Sequence, residues 1–307
     1  MKKILVTPRS VTKKGHPALD RLKKAGFEVL FCTPGAQPSE DELVKLLPGC
    51  VGYLAGVEPV TAKVLKTAKD LKAISRNGTG VDNIDLDAAQ KQNIKVLRAE
   101  GANARGVAEL AFGHILSAIR SIPASDAALK KETWERVKGI ELEGRTLGIV
   151  GCGKIGKIVA KFAIGFDMNV LAYDPYPDKA FSPGKAFRYA TLEEVLEKSD
   201  IVTLHCPPAK DNKPLIDAAA VARMKKGAYL INTARGALID DAAVIKALDE
   251  GKLAGVTVDA FEPEPPKDWK LAKHPKVIAT PHVGGFTDES VDRAVGVAVD
   301  NLLSALK

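Results

Sequence analysis

Leu147-Gly-Ile-Val-Gly-Cys-Gly-Lys-Ile-Gly156 is the stretch on which the reading of this chain turns. Leu147–Val150 is a short apolar run of the kind that fills a buried parallel strand, and the pattern that follows, from Ile155 to Phe166, has helical spacing. Between them lie Gly151, Gly153 and Gly156, spaced G-x-G-x-x-G. At such a junction the first glycine makes the tight turn, the second admits a pyrophosphate against the backbone, and the third lets helix and strand pack closely. The amino end of the helix adds N–H groups and a positive dipole end. Asp174 closes the next strand, Asn169–Tyr173, about 20 residues on, where a carboxylate can accept the hydroxyls of a ribose. Strand, turn, helix, strand and acid in that order describe a dinucleotide site. Asp174 would repel a 2′-phosphate and Pro175-Tyr-Pro-Asp178 offers no arginine to receive one, so the cofactor expected is NAD rather than NADP.

Outward from this motif, short apolar strands alternate with helical patterns throughout, the mark of βαβ units and parallel sheets. The second half continues with Ile201–His205, Ala228–Asn232, Ala254–Asp259 and Val277–Thr280. The first half reads as strands Ile4–Thr7, Glu28–Phe31, Gly52–Ala55, Ala73–Ser75 and Lys95–Leu97, with Ser39-x-x-Glu42 opening one of the helices between them as a capping box. Asn103–Arg120 carries Val107, Leu110, Ala111, Ile115 and Ala118 at helical spacing and predicts a long, mostly buried helix. A charged segment, Lys130–Arg145, leads from it to the glycine motif, and the chain ends in a helix over Thr287–Leu306. With 307 residues and 46% hydrophobic content, this is an α/β protein of two domains.

Composition excludes other classes. No stretch approaches the roughly 20 apolar residues that span a bilayer, and the apolar run after Met1-Lys-Lys is too short for a signal peptide. Cys32, Cys50, Cys152 and Cys206 lie far apart, with no C-x-x-C pair and no histidine cluster at zinc spacing; neither a disulfide framework nor a metal site is signalled, and a cytoplasmic, reducing compartment fits. The net charge of +7 is spread as lysines among acids, with pairs such as Lys13-Lys14 and Lys225-Lys226 as the densest runs. That pattern, with 5% aromatics, argues against nucleic acid and suits the gathering of small anions.

Ligands of open α/β sheets sit at the carboxyl ends of the strands. Three residues follow late strands there: Arg235 after Ile231-Asn-Thr-Ala234, Glu264 after Val258-Asp-Ala-Phe-Glu-Pro263, and His282 after Ile278-Ala-Thr-Pro281. Arginine can hold a carboxylate bidentately, and a histidine paired with an acid can shuttle a proton near neutral pH. Singly each has a plainer reading, as a surface ion-pair partner, a solvated loop acid and a structural histidine. Cys152 and Cys206 read as small fillers without a redox role.

These residues, together with Ser75-Arg-Asn-Gly-Thr-Gly-Val-Asp-Asn-Ile-Asp85, Val107-Ala-Glu-Leu110, Trp134-Glu-Arg136, Asn232-Thr-Ala-Arg-Gly236 and Pro281-His-Val-Gly-Gly285, make the chain resemble the D-isomer-specific 2-hydroxyacid dehydrogenases over nearly its whole length, most closely the phosphoglycerate dehydrogenase branch in a short form. The resemblance implies two doubly wound parallel-sheet domains with the active site in a cleft. A NAD-binding Rossmann domain would cover 100–285, and a discontinuous, flavodoxin-like substrate domain 1–99 plus 286–307. It implies that His282 donates a proton to a keto oxygen as nicotinamide delivers hydride to the same carbon, and that Glu264 rather than Glu262 orients His282 and favours its protonated form. Arg235 would clamp the substrate carboxylate. For NAD it implies Gly151, Gly153, Lys154, Ile155 and Gly156 at the pyrophosphate, His205, Cys206 and Pro207 toward the adenosine, and Thr79, Thr233, Ala234, Asp259, Gly284 and Gly285 toward the nicotinamide. Arg76, Asn77 and Gly78, with backbone N–H groups turned to the substrate, would join Arg235 and His282 in binding a small anionic 2-hydroxy or 2-keto acid. The long helix and the Trp134–Arg136 arm resemble segments that pair subunits, so a homodimer or a dimer-based tetramer is expected.

The chain departs from the phosphoglycerate pattern at Ala55-Gly-Val-Glu-Pro59, where an arginine would meet a substrate phosphate, and at Gly106, preceded by the extra charge of Arg105. Hydroxypyruvate or glyoxylate reductase is therefore the rival enzyme. A NAD-sensing corepressor is the rival of another class, since that scaffold keeps the same three residues.

Overall fold

The computed structural model describes residues 1–209, 211 and 213–307. The chain divides into two compact units, Met1–Asn103 with Gly285–Lys307, and Ala104–Gly284.

The first unit is a five-stranded parallel sheet of β1 (Lys2–Val6), β2 (Phe27–Phe31), β3 (Cys50–Ala55), β4 (Ala73–Arg76) and β5 (Lys95–Arg98), in the order β2-β1-β3-β4-β5. Helices α1 (Arg9–Lys14), α2 (Leu19–Lys24), α3 (Glu40–Leu46), α4 (Ala62–Thr67) and α5 (Leu86–Lys91) connect the strands. Successive side chains of a strand point to opposite faces, and both faces are covered here: Leu5, Tyr53 and Ile74 pack with Leu43, Val64 and Leu65, while Ile4, Val6 and Leu54 pack with Leu22 and with Val295, Val299 and Leu302 of the chain's last helix. Burial on both sides is why these strands read as continuous apolar runs. Each fully buried Leu, Ile or Val contributes about 1.5–3 kcal/mol. Ser39 caps α3 by accepting the Glu42 N–H at 3.2 Å, as the S-x-x-E spacing predicts, while the Glu42 carboxylate accepts the N–H and hydroxyl of Thr33, each at 2.9 Å.

The second unit opens with α6 (Ala104–Ile119) and α7 (Ile122–Leu129). Its seven-stranded parallel sheet contains β6 (Thr146–Val150), β7 (Asn169–Tyr173), β8 (Phe187–Tyr189), β9 (Ile201–Leu204), β10 (Ala228–Asn232), β11 (Leu253–Val258) and β12 (Val277–Ala279), in the order β12-β11-β10-β9-β6-β7-β8. Helices α8 (Lys154–Gly165), α9 (Leu192–Lys198), α10 (Ala218–Arg223), α11 (Asp241–Asp249) and α12 (Lys270–Lys273) connect these strands, and α13 (Asp288–Ala305), capped by Thr287, is the last helix already met in the first unit. One face of the sheet packs against α6 and α8 through Leu147, Ile149, Ala111, Ile115 and Val159; the other packs against α9, α10 and α11.

Two elements escape sequence patterning. Strand β8 has three residues at the sheet edge, too few for a periodic signal, and α7 buries none of its residues, so it has no apolar stripe to read. The expected strands Ile4–Thr7, Ile201–His205, Ala254–Asp259 and Val277–Thr280 each end one residue earlier in the structure. Thr7, His205, Asp259 and Thr280 thus belong to the loops at the carboxyl edges, where Thr7 bonds Glu58, Asp259 and Thr280 bond each other, and His205 turns back to Thr203 of its own strand.

Candidate active site

The glycine turn joins β6 to α8 as its spacing predicts. Gly151 has φ +93°, and a Cβ there would lie 2.6 Å from the His205 carbonyl carbon and 2.7 Å from the Cys206 nitrogen; a Cβ on Gly156 would lie 2.2 Å from the Gly151 oxygen. Both positions are closed by backbone. Above Gly153, by contrast, no atom of the described residues beyond its chain neighbours lies within 4 Å of the Cβ position, and no side chain among them caps α8, which Lys154 and Ile155 begin. Open space over uncapped helix N–H groups is the shape a pyrophosphate needs. Asp174 accepts the Cys152 N–H at 2.9 Å on one oxygen and the Tyr176 N–H at 2.8 Å on the other. A carboxylate has about four lone-pair sites, so the same group that pins the glycine turn retains acceptors for ribose hydroxyls.

Two polar atoms at the carboxyl edge of this sheet, Thr233 Oγ1 after β10 and His205 Nδ1 after β9, are buried without a partner among the described residues. Such atoms are costly unless a ligand or water satisfies them. His205 Nε2 meets Thr203 Oγ1 at 3.0 Å, and burial pushes the ring down to about 3, which keeps it neutral. Burial also raises the Cys152 thiol and pushes Cys206 up to about 11. Both cysteines are protonated at neutral pH and poor nucleophiles, as their reading as fillers requires, and exposed Pro207 follows Cys206. The donors present, an open glycine turn, a ribose acceptor and two orphaned polar atoms on one edge, fit a dinucleotide.

Arg235, Glu264 and His282 all belong to the second unit. His282 Nδ1 lies 2.8 Å from each oxygen of Glu264. Glu264 Oε1 also accepts the Phe261 N–H at 3.0 Å, which fixes the carboxylate from the backbone side. Burial raises the Glu264 carboxyl, but the His282 hydrogen bond and charge, the Phe261 N–H and the charge of Arg235 together hold it below the usual range. Buried Asn232 shapes the turn that carries Arg235: its Nδ2 donates to the Arg235 carbonyl at 2.8 Å and its Oδ1 accepts the Ala234 N–H at 3.1 Å. The next residue must be glycine, because a Cβ on Gly236 would lie 2.3 Å from the Phe261 carbonyl carbon and 2.5 Å from the Glu262 nitrogen. The Arg235 turn therefore sits directly on the loop that leads to Glu264.

His282 itself adopts φ +53°. A non-glycine residue in the left-handed region costs about 1–3 kcal/mol and persists where its surroundings over-determine it. Asp259, 1% exposed, supplies the restraint: Oδ1 accepts the Thr280 hydroxyl at 2.6 Å and the Val283 N–H at 2.9 Å, and Oδ2 accepts the Gly284 N–H at 2.9 Å. One buried carboxylate thus holds the chain on both sides of His282. Beside the cofactor contact that the resemblance implies for Asp259, the structure shows this clamp, which no motif signals because its three partners lie 21 to 25 residues away.

In the first unit, Arg76 ends β4 and Asn77, Gly78 and Thr79 follow it. The Asn77 N–H donates to the Ala55 carbonyl at 2.8 Å and the Gly78 N–H to the Arg76 carbonyl at 2.9 Å. These two backbone donors, expected to face a substrate, are engaged by the protein itself, one by the end of β3 and one within the turn, and Asn77 Oδ1 is buried there with no partner among the described residues. Arg76 Nη1 donates to the Asn77 carbonyl, and Thr79 Oγ1 lies 3.1 Å from Asn103 Oδ1. Gly285 begins the carboxyl-terminal part of this unit.

A profile described as D-isomer specific 2-hydroxyacid dehydrogenase, NAD binding domain, matches residues 112–284. The D-3-phosphoglycerate dehydrogenase of Methanocaldococcus jannaschii is 40% identical over 271 residues, 87% of this chain and 52% of that protein. The hydroxypyruvate reductase of Thermotoga maritima is 40% identical over 264 residues, 84% of this chain and 85% of that protein. A solved D-lactate dehydrogenase from Aquifex aeolicus, complexed with NAD and lactic acid, matches with a TM-score of 0.83 and 30% identity, covering 99% of this chain and 95% of that one. The chain spans about half the length of the phosphoglycerate dehydrogenases it matches. Matches of this length and identity show that the chain belongs to the D-isomer specific 2-hydroxyacid dehydrogenase family, with its NAD-binding domain in the second unit.

Proposed function

We propose that this protein transfers a hydride between NAD and a small D-2-hydroxy or 2-keto acid, in the manner of a phosphoglycerate dehydrogenase. The observation that carries the reading is the His282–Glu264 pair, 2.8 Å from the ring nitrogen to both carboxylate oxygens, within reach of the Arg235 charge. NAD, when bound, supplies or accepts the hydride. With Nδ1 donating to Glu264, the Nε2 of His282 is the atom that gives a proton to the keto oxygen or takes it from the hydroxyl. Glu264 offsets the charge of the protonated ring. The planar guanidinium of Arg235 suits a substrate carboxylate and stabilises negative charge as it develops on the carbonyl oxygen. Gly151, Gly153, Lys154, Ile155 and Gly156 would hold the pyrophosphate, Asp174 the adenosine ribose, His205, Cys206 and Pro207 the adenosine end, and Thr79, Thr233, Ala234, Asp259, Gly284 and Gly285 the nicotinamide end, Asp259 through its clamp. Arg76, Asn77 and Gly78 would complete the substrate site.

A second reading, reduction of hydroxypyruvate or glyoxylate, is favoured by one observation. Ala55–Pro59 carries no arginine, and its one charged side chain, Glu58, is buried. NADH oxidation against 3-phosphohydroxypyruvate, hydroxypyruvate, glyoxylate and pyruvate separates the readings. Preference for the phosphorylated acid supports the first, preference for hydroxypyruvate or glyoxylate the second, and turnover of none of the four defeats both.

We further propose a homodimer located in the cytoplasm. Ile122, Leu129, Trp134 and Val137, large apolar side chains exposed along one segment, are suited to a second copy, and four unpaired cysteines suit a reducing compartment.

A further inference from the structure

Helix α6 carries His114, 3% exposed, whose Nε2 lies 3.0 Å from Thr280 Oγ1. Thr280 Oγ1 in turn donates to Asp259 Oδ1 at 2.6 Å. The chemistry of the groups fixes the direction of each hydrogen. A carboxylate accepts, so the single hydroxyl proton of Thr280 goes to Asp259. Toward His114 the Thr280 oxygen can then only accept, which puts the ring proton on Nε2. Nδ1 is left bare, and it is buried without a partner among the described residues. Burial lowers the His114 pKa, the Asp259 charge opposing it only in part, so the ring is neutral and has one proton to give.

We propose that His114 is a positioning residue for His282. It orients the Thr280 hydroxyl, the hydroxyl completes the shell of Asp259, and Asp259 holds the N–H groups of Val283 and Gly284 that keep His282 at positive φ. The relay runs from the interior of a helix to the loop of the proton-transferring histidine through three side chains, none of which needs to touch substrate. Its meaning for catalysis rests on the function proposed above; the clamp as a mechanical device does not.

The test uses the full-length protein. In His114→Ala, amide hydrogen exchange at Val283 and Gly284 should accelerate about tenfold while β6 and β9 stay protected, and kcat should fall about tenfold with NADH affinity unchanged, the scale typical of lost outer-layer support. His114→Gln, which restores an N–H donor, should recover part of both losses. If His114→Ala does not fold, Thr280→Val keeps the shape of the side chain and removes the hydroxyl, and it should loosen the same two amides. Exchange at Val283 and Gly284 that is unaltered in the folded variant overturns the proposal, as does a fall in kcat that Gln does not rescue at all. Should the wild-type protein reduce no keto acid, faster exchange in the variants still supports the clamp, and the function alone has failed.

Discussion

The two sheets are wound alike, and each has a crevice where the strand order reverses, between β1 and β3 in the first unit and between β6 and β9 in the second. Open α/β sheets bind ligands at such points. In the second unit that place is kept open: Gly151 and Gly156 close the backbone, the space above Gly153 is free and α8 is uncapped. In the first it is filled by the protein itself. Glu58, 1% exposed, brings its Oε1 to the hydroxyls of Thr7 and Tyr53 and, at 2.8 Å, to the Gly56 N–H. Thr7 follows β1 and Gly56 follows β3, so an internal carboxylate occupies the position where a ligand would otherwise sit. The architecture offers the same crevice twice, and the residues of the turns decide which one is available.

The largest effect that would break this comparison concerns the filled crevice. Glu58→Ala takes the acceptor from the buried Tyr53 hydroxyl and leaves the Thr7 hydroxyl only the Leu54 carbonyl and the Gly56 N–H only Thr7 Oγ1, and thermal or denaturant unfolding should show a loss of about 1–3 kcal/mol. Glu58→Gln keeps an oxygen acceptor and should lose less. An Ala variant as stable as the wild type would mean that the carboxylate does not lock the loops.

At the open crevice two neighbouring glycines should respond differently. Gly153→Ala places its methyl in free space, so melting should change little while NADH binds about tenfold more weakly, equivalent to about 1.4 kcal/mol. Gly151→Ala meets backbone at 2.6 Å and a disfavoured φ, and should lower the melting temperature. Equal NADH affinity in wild type and Gly153→Ala would remove the pyrophosphate from that space.

The smallest effect is electrostatic. The Glu264 carboxyl is held below its ordinary value, so its contribution to stability is complete above the unfolded-state pKa and is lost as pH falls through the lower folded-state value. Stability measured from neutral pH into the acid range should show this loss in the wild type and not in Glu264→Gln. Identical acid profiles would show that the pair with His282 is not coupled to folding.

What could be read from residue order follows range. The glycine turn and Asp174 are legible because a tight turn, a close helix packing and a strand-end acid impose residue types at short, fixed spacing. The capping of α3 by Ser39 is legible for the same reason. Arg235, Glu264 and His282 announced themselves only by standing after strands, and resemblance rather than spacing gave them roles. Four strand ends read one residue long, because Thr7, His205, Asp259 and Thr280 are residue types that a strand also accepts, and β4 and β5 read one residue short, because each ends on an arginine. The engagement of the Asn77 and Gly78 amides was invisible, since a glycine-rich loop has the same sequence whether its N–H groups face inward or outward.

By itself, then, the sequence determined that this is an α/β chain with a dinucleotide turn for NAD, because those features depend on residue types at short, fixed spacing. Tertiary structure alone decided that Asp259 grips the chain on both sides of His282, that His114 reaches Thr280 across 166 positions, and that Glu58 fills one crevice while Gly153 leaves the other open. Each of these is a hydrogen bond or a vacancy between segments distant in the chain. Such contacts exist only when parallel strands set their carboxyl ends side by side, and no local pattern encodes which loops will meet there.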